Sequence, residues 1–325
     1  MRFLVYGNDW ENALGQMCVR AVKSLGHEVV IVDDISGSWI PFFRNRRAES
    51  CNRRLLEQAR RFEPDITLVL KGSELDSETL SEVRRQTTIA LVNWYPDDPF
   101  ETHSEPDRDE GFLRTVSEYD IVFIWSRQLF SELEREGASR VEFLPFARDP
   151  SLHYPADAVD KFDCDVIFVG GWGVARESQL KELTDMDLQI YGDAWRWRCF
   201  DLRLQRCICG GTLSGTRYTQ AMSSAKIVVN ILRDQNVNAS GHNMRTFEAP
   251  ATGSMMVTTR TSGQDEFLPE GDSSAMYEDP AEFRETVIYY LENEDERDRI
   301  ANNGKERVMD ETYTARVTTI VDLVT

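Results

Sequence analysis

A glycine-rich turn follows the apolar segment 165–170, which reads Asp-Val-Ile-Phe-Val-Gly. The chain then continues Gly-Trp-Gly-Val-Ala-Arg to position 176. Glycine lets a backbone approach a ligand closely, and the start of a helix offers N–H groups to an anion. Gly170, Gly171 and the forked guanidinium of Arg176 therefore form a candidate anion site. A plain tight turn with an exposed arginine explains the same residues, and the spacing is neither Gly-x-Gly-x-x-Gly nor a P-loop.

A second polar segment, 238–249, runs from a loop into a predicted helix. Arg245 and Glu248 are three residues apart, so they share one face of that helix. An arginine near the helix start suits a diphosphate, and a carboxylate one turn later suits vicinal hydroxyls such as those of a ribose. The alternative is an ordinary ion pair within the helix.

Two carboxylates of the first half follow the predicted strand 89–94. Asp97 and Asp98 stand in the sequence Pro-Asp-Asp-Pro. A carboxylate at the end of a strand is a candidate general base for a hydroxyl group. The same four residues are strong turn formers, and a turn is the alternative explanation.

The loop 7–12 follows the first predicted strand. It adds Asp9 as a weaker candidate base and Trp10 as an aromatic surface on which a sugar would stack. His103, in the acidic loop 101–110, is one of four histidines and is a further residue to test.

These residues need a scaffold, and the rest of the chain predicts an α/β one. Apolar runs rich in Val, Ile and Leu alternate with helical spacing, which is typical of parallel strands covered on both faces. The predicted strands are 2–7, 27–32, 65–70, 89–94, 120–125, 165–170, 188–192, 226–232, 254–258 and 275–277. The pattern breaks at 145–161, which predicts two Rossmann-like domains, 1–150 and 151–325, facing a central cleft. The final helix, 313–323, is expected to pack back on the first domain.

Composition limits the partners of this 325-residue chain. Its net charge is −19, which argues against general nucleic-acid binding, although 31 of its 37 basic residues are arginine. No stretch approaches the roughly 20 apolar residues of a membrane span, and the N-terminus does not resemble a signal peptide, so we expect a cytoplasmic protein. The six cysteines are expected to be reduced, and their spacing predicts no metal site.

Several short motifs in the second half occur in the order typical of one family. They are Phe168-Val169-Gly170 with Arg176, Ile190-Tyr191-Gly192 with Trp195, Tyr218 to Lys226-Ile227-Val228-Val229-Asn230, Arg245-x-Phe247-Glu248-Ala249-x-Ala251-x-Gly253, and Tyr313-x-x-Arg316. From about position 165 onward the chain resembles the C-terminal domain of the CgeB-like glycosyltransferases, which have the GT-B fold. The first half resembles their N-terminal domain more loosely, mainly through the segment 93–99.

The resemblance implies a glycosyltransferase that moves a sugar from a nucleotide-diphosphate sugar to an acceptor hydroxyl. Gly170, Gly171, Arg176, Asn243 and Arg245 would then lie near the donor nucleotide. Glu248 would take the ribose hydroxyls, as the second glutamate of the Glu-x7-Glu pattern of related retaining enzymes does.

The first glutamate of that pattern would fall at position 240, where this chain has Ser240. Ser240 and His242 are expected to contact the sugar or the acceptor. No metal and no separate cofactor are expected, because arginines and helix N-termini would stabilise the departing diphosphate. An epimerase or hydrolase of nucleotide sugars on the same fold, or a non-catalytic sugar-nucleotide-binding protein, are the alternatives.

Overall fold

The computed structural model describes residues 1–34, 44–101 and 108–325, and His103 lies outside these ranges. The chain divides into two compact units. The first unit comprises residues 1–145 and 313–325, and the second comprises 146–312. Each unit contains a six-stranded sheet in which every pair of neighbouring strands is parallel. The predicted α/β fold class with two parallel sheets is confirmed.

The strands are short, as is usual for parallel sheets whose faces are covered by helices. In chain order they are β1 (Arg2–Tyr6), β2 (Glu28–Val32), β3 (Ile66–Leu70), β4 (Ala90–Tyr95), β5 (Ile121–Ile124), β6 (Val141–Phe143), β7 (Cys164–Val169), β8 (Leu188–Tyr191), β9 (Ile208–Gly210), β10 (Ala225–Asn230), β11 (Met255–Thr259) and β12 (Ala275–Tyr277).

Helices connect the strands and form the C-terminal part of the chain. They are α1 (Leu14–Ser24), α2 (Arg44–Phe62), α3 (Ser77–Gln86), α4 (Glu110–Leu113), α5 (Phe130–Arg135), α6 (Val174–Leu180), α7 (Trp195–Arg198), α8 (Leu202–Cys207), α9 (Gly215–Ser224), α10 (Asp234–Asn238), α11 (Arg245–Ala251), α12 (Ser262–Phe267), α13 (Pro280–Glu292), α14 (Glu294–Arg307) and α15 (Tyr313–Val324). Within the described ranges, none of these helices is long and apolar enough to cross a bilayer.

The first unit has the strand order β2-β1-β3-β4-β5-β6. Every residue of β3, β4 and β5 is buried, which explains why these segments are almost continuously apolar in sequence. The order reverses between β1 and β3. Residues that follow these two strands therefore meet at the carboxyl edge of the sheet.

The second unit has the order β12-β11-β10-β7-β8-β9, so its strand order reverses between β7 and β10. Its hydrophobic core packs the central strands against the flanking helices and includes Phe168, Trp195, Val257 and Phe283. Trp195 contacts the Phe168 ring edge to face, with centroids 5.8 Å apart. The reversal creates a crevice at the carboxyl ends of β7 and β10, and such crevices are where ligands bind in open parallel sheets.

The boundary between the units falls five residues before the predicted position 150, because Arg148 is built into the second unit. Its guanidinium donates to the carbonyl oxygens of Val308 at 2.9 Å, Met309 at 2.6 Å and His153 at 3.3 Å. Its backbone N–H donates to the Glu311 carbonyl at 2.9 Å. Residues 146–150 therefore belong with the C-terminal half of the chain, which an analysis of local turn signals does not detect.

Helix α15 belongs to the first unit although it ends the chain. Arg316 on this helix donates to the Pro145 carbonyl at 3.0 Å, and Arg140 donates to the Leu323 carbonyl at 3.3 Å. The Tyr313 ring lies 6.0 Å from that of Trp94, measured between centroids. The C-terminal helix is thus held by polar and aromatic contacts at both of its ends.

The close approach of two loops at the sheet edge of the second unit requires a glycine. Gly192 has a φ of +154°, and a Cβ atom there would lie 1.8 Å from the carbonyl oxygen of Gly170. The Gly170 N–H donates to the Tyr191 carbonyl at 2.8 Å, which holds the two loops together. Gly192 therefore sets the position of the turn that follows β7.

We expect Gly192→Ala to reduce the free energy of unfolding by about 1–3 kcal/mol, because the new methyl group must displace backbone atoms. Gly211→Ala is the matched control: a Cβ atom there meets no atom within 4 Å, so its effect should stay within about 0.5 kcal/mol. Urea unfolding of both variants measures the difference. Equal stabilities would contradict the close approach.

Candidate functional site

Two arginines join the ends of β7 and β10 where the strand order reverses. Arg176, on α6, donates from Nε and Nη2 to the Ile231 carbonyl just after β10, both at 3.2 Å. Its Nη1 donates to the Gly171 carbonyl at 2.9 Å. Arg245, at the start of α11, donates in the opposite direction to the carbonyl of Val169 at 2.6 Å. The crevice therefore contains two guanidinium groups held by backbone carbonyls.

The charge of Arg176 has no carboxylate partner within ion-pair distance among the residues that the structure describes. Burial, together with the positive charges of Arg233 and Arg245, lowers the pKa of Arg176 to about 9. A buried cation beside other cations is stabilised by an anion. The crevice is therefore electrostatically suited to a phosphate or diphosphate group.

The successive carbonyls of the turn after β7 are all occupied by side-chain donors. Val169 accepts from Arg245, and Gly171 accepts from Arg176. The carbonyl between them, on Gly170, accepts from Nε1 of Trp195 at 2.8 Å. These contacts fix the glycine turn, so its backbone is held in position before any ligand arrives.

Glu248 anchors the second part of the site. Its Oε2 lies 3.1 Å from Nη1 of Arg245 and accepts a short hydrogen bond from the Tyr218 hydroxyl. The Arg245 guanidinium also lies over the Tyr218 ring, 5.0 Å from its centroid. Both strong contacts use Oε2. In the described part of the chain no side chain donates a hydrogen bond to Oε1, which leaves that oxygen for a ligand hydroxyl.

His153 faces that remaining oxygen from within the core. Its Nε2 lies 3.7 Å from Oε1 of Glu248, beyond hydrogen-bond distance. Nδ1 accepts from the Asp149 backbone N–H at 2.9 Å, so the neutral imidazole carries its proton on Nε2. Burial lowers the pKa of His153, although the Glu248 carboxylate opposes that shift. A neutral N–H group is thus aimed at the carboxylate.

The other predicted residues of the loop before α11 have different environments. The Asn243 amide pairs with that of Asn230, at 2.9 and 3.2 Å, at the end of β10. Ser240 has a φ of +47°, and its carbonyl accepts from the Gly263 N–H at 2.9 Å. His242 is buried among aromatic rings. Its centroid lies 4.9 Å from Phe267, 5.4 Å from Phe247 and 6.0 Å from Phe146.

This packing argues against the predicted contact of the His242 ring with a sugar. A histidine in a polar, glycine-containing loop looks accessible in sequence. The tertiary fold instead covers it with phenyl rings from three separate segments.

In the first unit, Asp97 is held by a residue that the sequence analysis did not select. Nζ of Lys71 lies 2.6 Å from Oδ2 of Asp97, and Lys71 has the left-handed φ of +65° just after β3. Asp98 accepts from the Phe100 N–H at 2.9 Å. Burial raises the pKa of Asp98, and the neighbouring carboxylates Glu101 and Glu132 add to this effect. A raised pKa makes the Asp98 carboxylate a stronger proton acceptor than an ordinary aspartate.

The loop after β1 carries the remaining predicted residues of this unit. Asp9 accepts a short hydrogen bond from the Gln16 side chain, at the beginning of α1. Trp10 is exposed, as a sugar-stacking residue must be. Neither Asp9 nor Trp10 has a contact that assigns it a role.

The structure brings some of the predicted residues together and adds others. Arg176, Arg245 and Glu248 meet through the crevice of the second unit, as does Gly171. His153 and Lys71 were missed because their partners lie 95 and 26 residues away in sequence, at Glu248 and Asp97. The lone Lys71-Gly72 pair after an apolar run was the one local signal for Lys71.

A protein-family model matches part of the chain. Residues 176–322 match the model of a family described as glycosyl transferase-like. The match begins at Arg176 and includes Arg245 and Glu248. No curated protein sequence matches the chain.

Solved structures share the fold of the whole chain. Sucrose-phosphate synthase from Thermosynechococcus elongatus has a TM-score of 0.72 at 14% identity, covering 99% of this chain and 98% of its own. HepE from Anabaena, in complex with UDP and glucose, has a TM-score of 0.71 at 10% identity, covering 99% of both chains. A glycosyltransferase from Rickettsia africae has a TM-score of 0.67 at 12% identity, covering 99% of this chain and 97% of its own. These likenesses show the GT-B fold.

The neutral, buried state of His153 predicts that stability falls on acidification. Below a pH of about 6.5 the unfolded chain protonates this imidazole while the folded chain keeps it neutral, so the unfolded state binds more protons. For each extra proton bound by the unfolded state, the free energy of unfolding falls by about 1.4 kcal/mol per pH unit of acidification. Between pH 7.5 and 5.5 the free energy of unfolding of His153→Gln should therefore fall less than that of the natural chain. Parallel pH slopes in urea unfolding would contradict the assignment.

Proposed function

We propose that the protein is a glycosyltransferase that moves a sugar from a nucleotide-diphosphate sugar to an acceptor hydroxyl. The observation that carries the proposal is the pair of guanidinium groups, Arg176 and Arg245, at the strand reversal of the second unit. The glycosyl transferase-like match of 176–322 supports it, as does the fold shared with HepE, whose structures contain UDP and UDP-glucose.

The donor diphosphate binds in the crevice between the ends of β7 and β10. Arg176 provides a cation that has no carboxylate partner among the described residues, and Arg245 provides a second cation. The fixed backbone at Gly170 and Gly171 lets the phosphates approach closely. Oε1 of Glu248, to which no described side chain donates a hydrogen bond, accepts one from a ribose hydroxyl, while Arg245 and Tyr218 hold Oε2.

The transfer breaks the bond between the anomeric carbon and the diphosphate oxygen, and that oxygen keeps the bonding electrons. The acceptor oxygen forms the new bond to the anomeric carbon, and its proton passes to a base. Arg176 and Arg245 stabilise the charge on the leaving diphosphate, so the reaction needs no metal ion. Asp98, with its burial-raised pKa, is the first candidate base, and Asp97 and Asp9 are the others.

The subgroup of the family and the contacts made by Ser240 and Asn243 belong to the same proposal. The ordered sequence motifs support membership of the CgeB-like subgroup. Ser240, in a left-handed conformation beside Gly263, stands where related retaining enzymes have their first glutamate. The sugar is therefore contacted by a hydroxyl or backbone group in place of a carboxylate. Asn243 lies at the end of β10, close to the proposed diphosphate site.

Two other functions fit the same fold: epimerisation or hydrolysis of a nucleotide sugar, and binding without catalysis. Release of free nucleoside diphosphate separates them. A transferase releases it in proportion to added acceptor, a hydrolase releases it without acceptor, and an epimerase or a binding protein releases none.

Running the assay with and without EDTA tests the arginine-based leaving-group stabilisation, which predicts equal rates.

We expect Arg176→Ala and Glu248→Gln each to weaken nucleoside diphosphate binding about tenfold or more. A charge-assisted hydrogen bond contributes roughly 1.5–3 kcal/mol. Calorimetry with UDP, GDP and dTDP measures the affinities. Arg299→Ala is the matched control, because this exposed arginine of the same unit is already paired with Glu296. Unchanged affinity in both site variants, with native melting temperatures, would overturn the donor site.

Variants of the proposed base should affect catalysis more than donor binding. We expect Asp98→Asn to lower turnover at least about a hundredfold, the scale of general base catalysis, while donor affinity changes less than twofold. Asp97→Asn tests the alternative base, and Asp157→Asn, in the second unit and outside the proposed machinery, is the control. Equal losses of affinity and turnover in Asp98→Asn would contradict the assigned role.

A further inference from the structure

The loop after β8 exposes an unusual set of side chains. The segment 194–207, which we call the arginine–aromatic segment, reads Ala-Trp-Arg-Trp-Arg-Cys-Phe-Asp-Leu-Arg-Leu-Gln-Arg-Cys. Trp197 is 82% exposed, Phe200 85% and Leu202 78%. Large apolar side chains this exposed, within six residues of one another, are typical of a surface that binds a partner.

The segment is anchored, so this exposure is a property of the fold. Four side chains of the segment turn inward: Trp195, Cys199, Leu204 and Cys207 belong to the hydrophobic core of the second unit. Nε1 of Trp195 donates to the Gly170 carbonyl at 2.8 Å. Asp201 caps α8 through the N–H groups of Arg203 and Leu204. With its inner face fixed in this way, the outer face cannot bury its apolar groups by a local rotation.

The charge of this face is opposite to that of the chain. The segment contains four arginines and a single acidic residue, whereas the whole chain has a net charge of −19. All four arginines are exposed. Within the described ranges, Arg196, Arg198 and Arg206 form no ion pair with a carboxylate, and Arg198 lies over the Trp172 ring at 5.4 Å. Three cationic groups are therefore available to an anionic partner.

We propose that the arginine–aromatic segment docks the protein on a membrane surface rich in anionic phospholipid. Tryptophan and phenylalanine insert at the boundary between headgroups and acyl chains, and arginines beside them bind the phosphates. Leu202 favours a bilayer over a nucleic acid as the partner, because its aliphatic side chain can insert into a bilayer but cannot stack on a base. A bilayer also contacts one small patch, whereas a long polyanion would lie along the acidic remainder of the chain.

Vesicle co-sedimentation of the full chain tests the proposal. We expect binding to vesicles of phosphatidylglycerol and phosphatidylcholine, and at least tenfold weaker binding to phosphatidylcholine alone. Raising NaCl to about 0.5 M should weaken binding, since salt screens exposed charges. Sedimentation without vesicles measures self-association through the same face.

Paired variants separate the apolar and cationic contributions. Trp197→Ser/Phe200→Ser and Arg196→Gln/Arg198→Gln should each reduce binding to the anionic vesicles about tenfold or more. The matched controls are Tyr289→Ser, an exposed aromatic residue elsewhere in the unit, and Arg284→Gln/Arg299→Gln, whose charges are already paired with Asp185 and Glu296. The controls should bind as the natural chain does.

Three outcomes of the vesicle and self-association assays would overturn the membrane proposal. They are equal binding to both vesicle types, equal losses in site and control variants, and self-association that disappears in Trp197→Ser/Phe200→Ser without vesicle binding. Binding to single-stranded DNA without vesicle binding would likewise assign the face to nucleic acid. Since none of these assays requires sugar transfer, their result is independent of the proposed enzymatic function.

Discussion

The Arg176 guanidinium is the group on which the site of the second unit depends. It is half-buried near Arg245, and the described residues provide it with backbone carbonyls in place of a carboxylate. Carbonyl dipoles hold a cation in place but compensate only part of its charge, and burial beside Arg233 and Arg245 lowers the pKa of Arg176 to about 9. The folded chain therefore keeps an unbalanced positive charge where β7 and β10 diverge. An anionic ligand bound at that point would neutralise a positive charge that the folded chain leaves unbalanced.

Neighbouring groups are arranged around this charge. Gly192 allows the loop after β8 to pass against Gly170, and Trp195 from the same loop takes the Gly170 carbonyl. Tyr218 and Arg245 occupy one oxygen of Glu248, and the neutral His153 lies near the other. Each contact restricts a backbone or side-chain group before a ligand binds. Such preorganisation reduces the ordering that binding must otherwise impose.

The loop after β8 connects two surfaces of the second unit. Its first residues reach inward through Trp195 to the glycine turn, and the residues that follow place Trp197, Phe200 and Leu202 in solvent. A partner bound by the outward residues would therefore sit on the same loop that holds the turn after β7. The two surfaces are joined by a short, capped segment with a fixed inner face.

The sequence by itself determined the alternation of strands and helices, because buried parallel strands must be continuously apolar and their connections amphipathic. It also placed Arg245 and Glu248 on one helical face, since a spacing of three is a property of the helix alone. Only the tertiary structure decided that Arg176 reaches Ile231 and that Lys71 holds Asp97. It also decided that His242 lies among three phenyl rings and that residues 146–150 join the second unit. Each of these depends on segments that are distant in sequence and meet only when the sheets assemble. Local periodicity contains no information about such meetings, because the burial of a side chain depends on what packs over it.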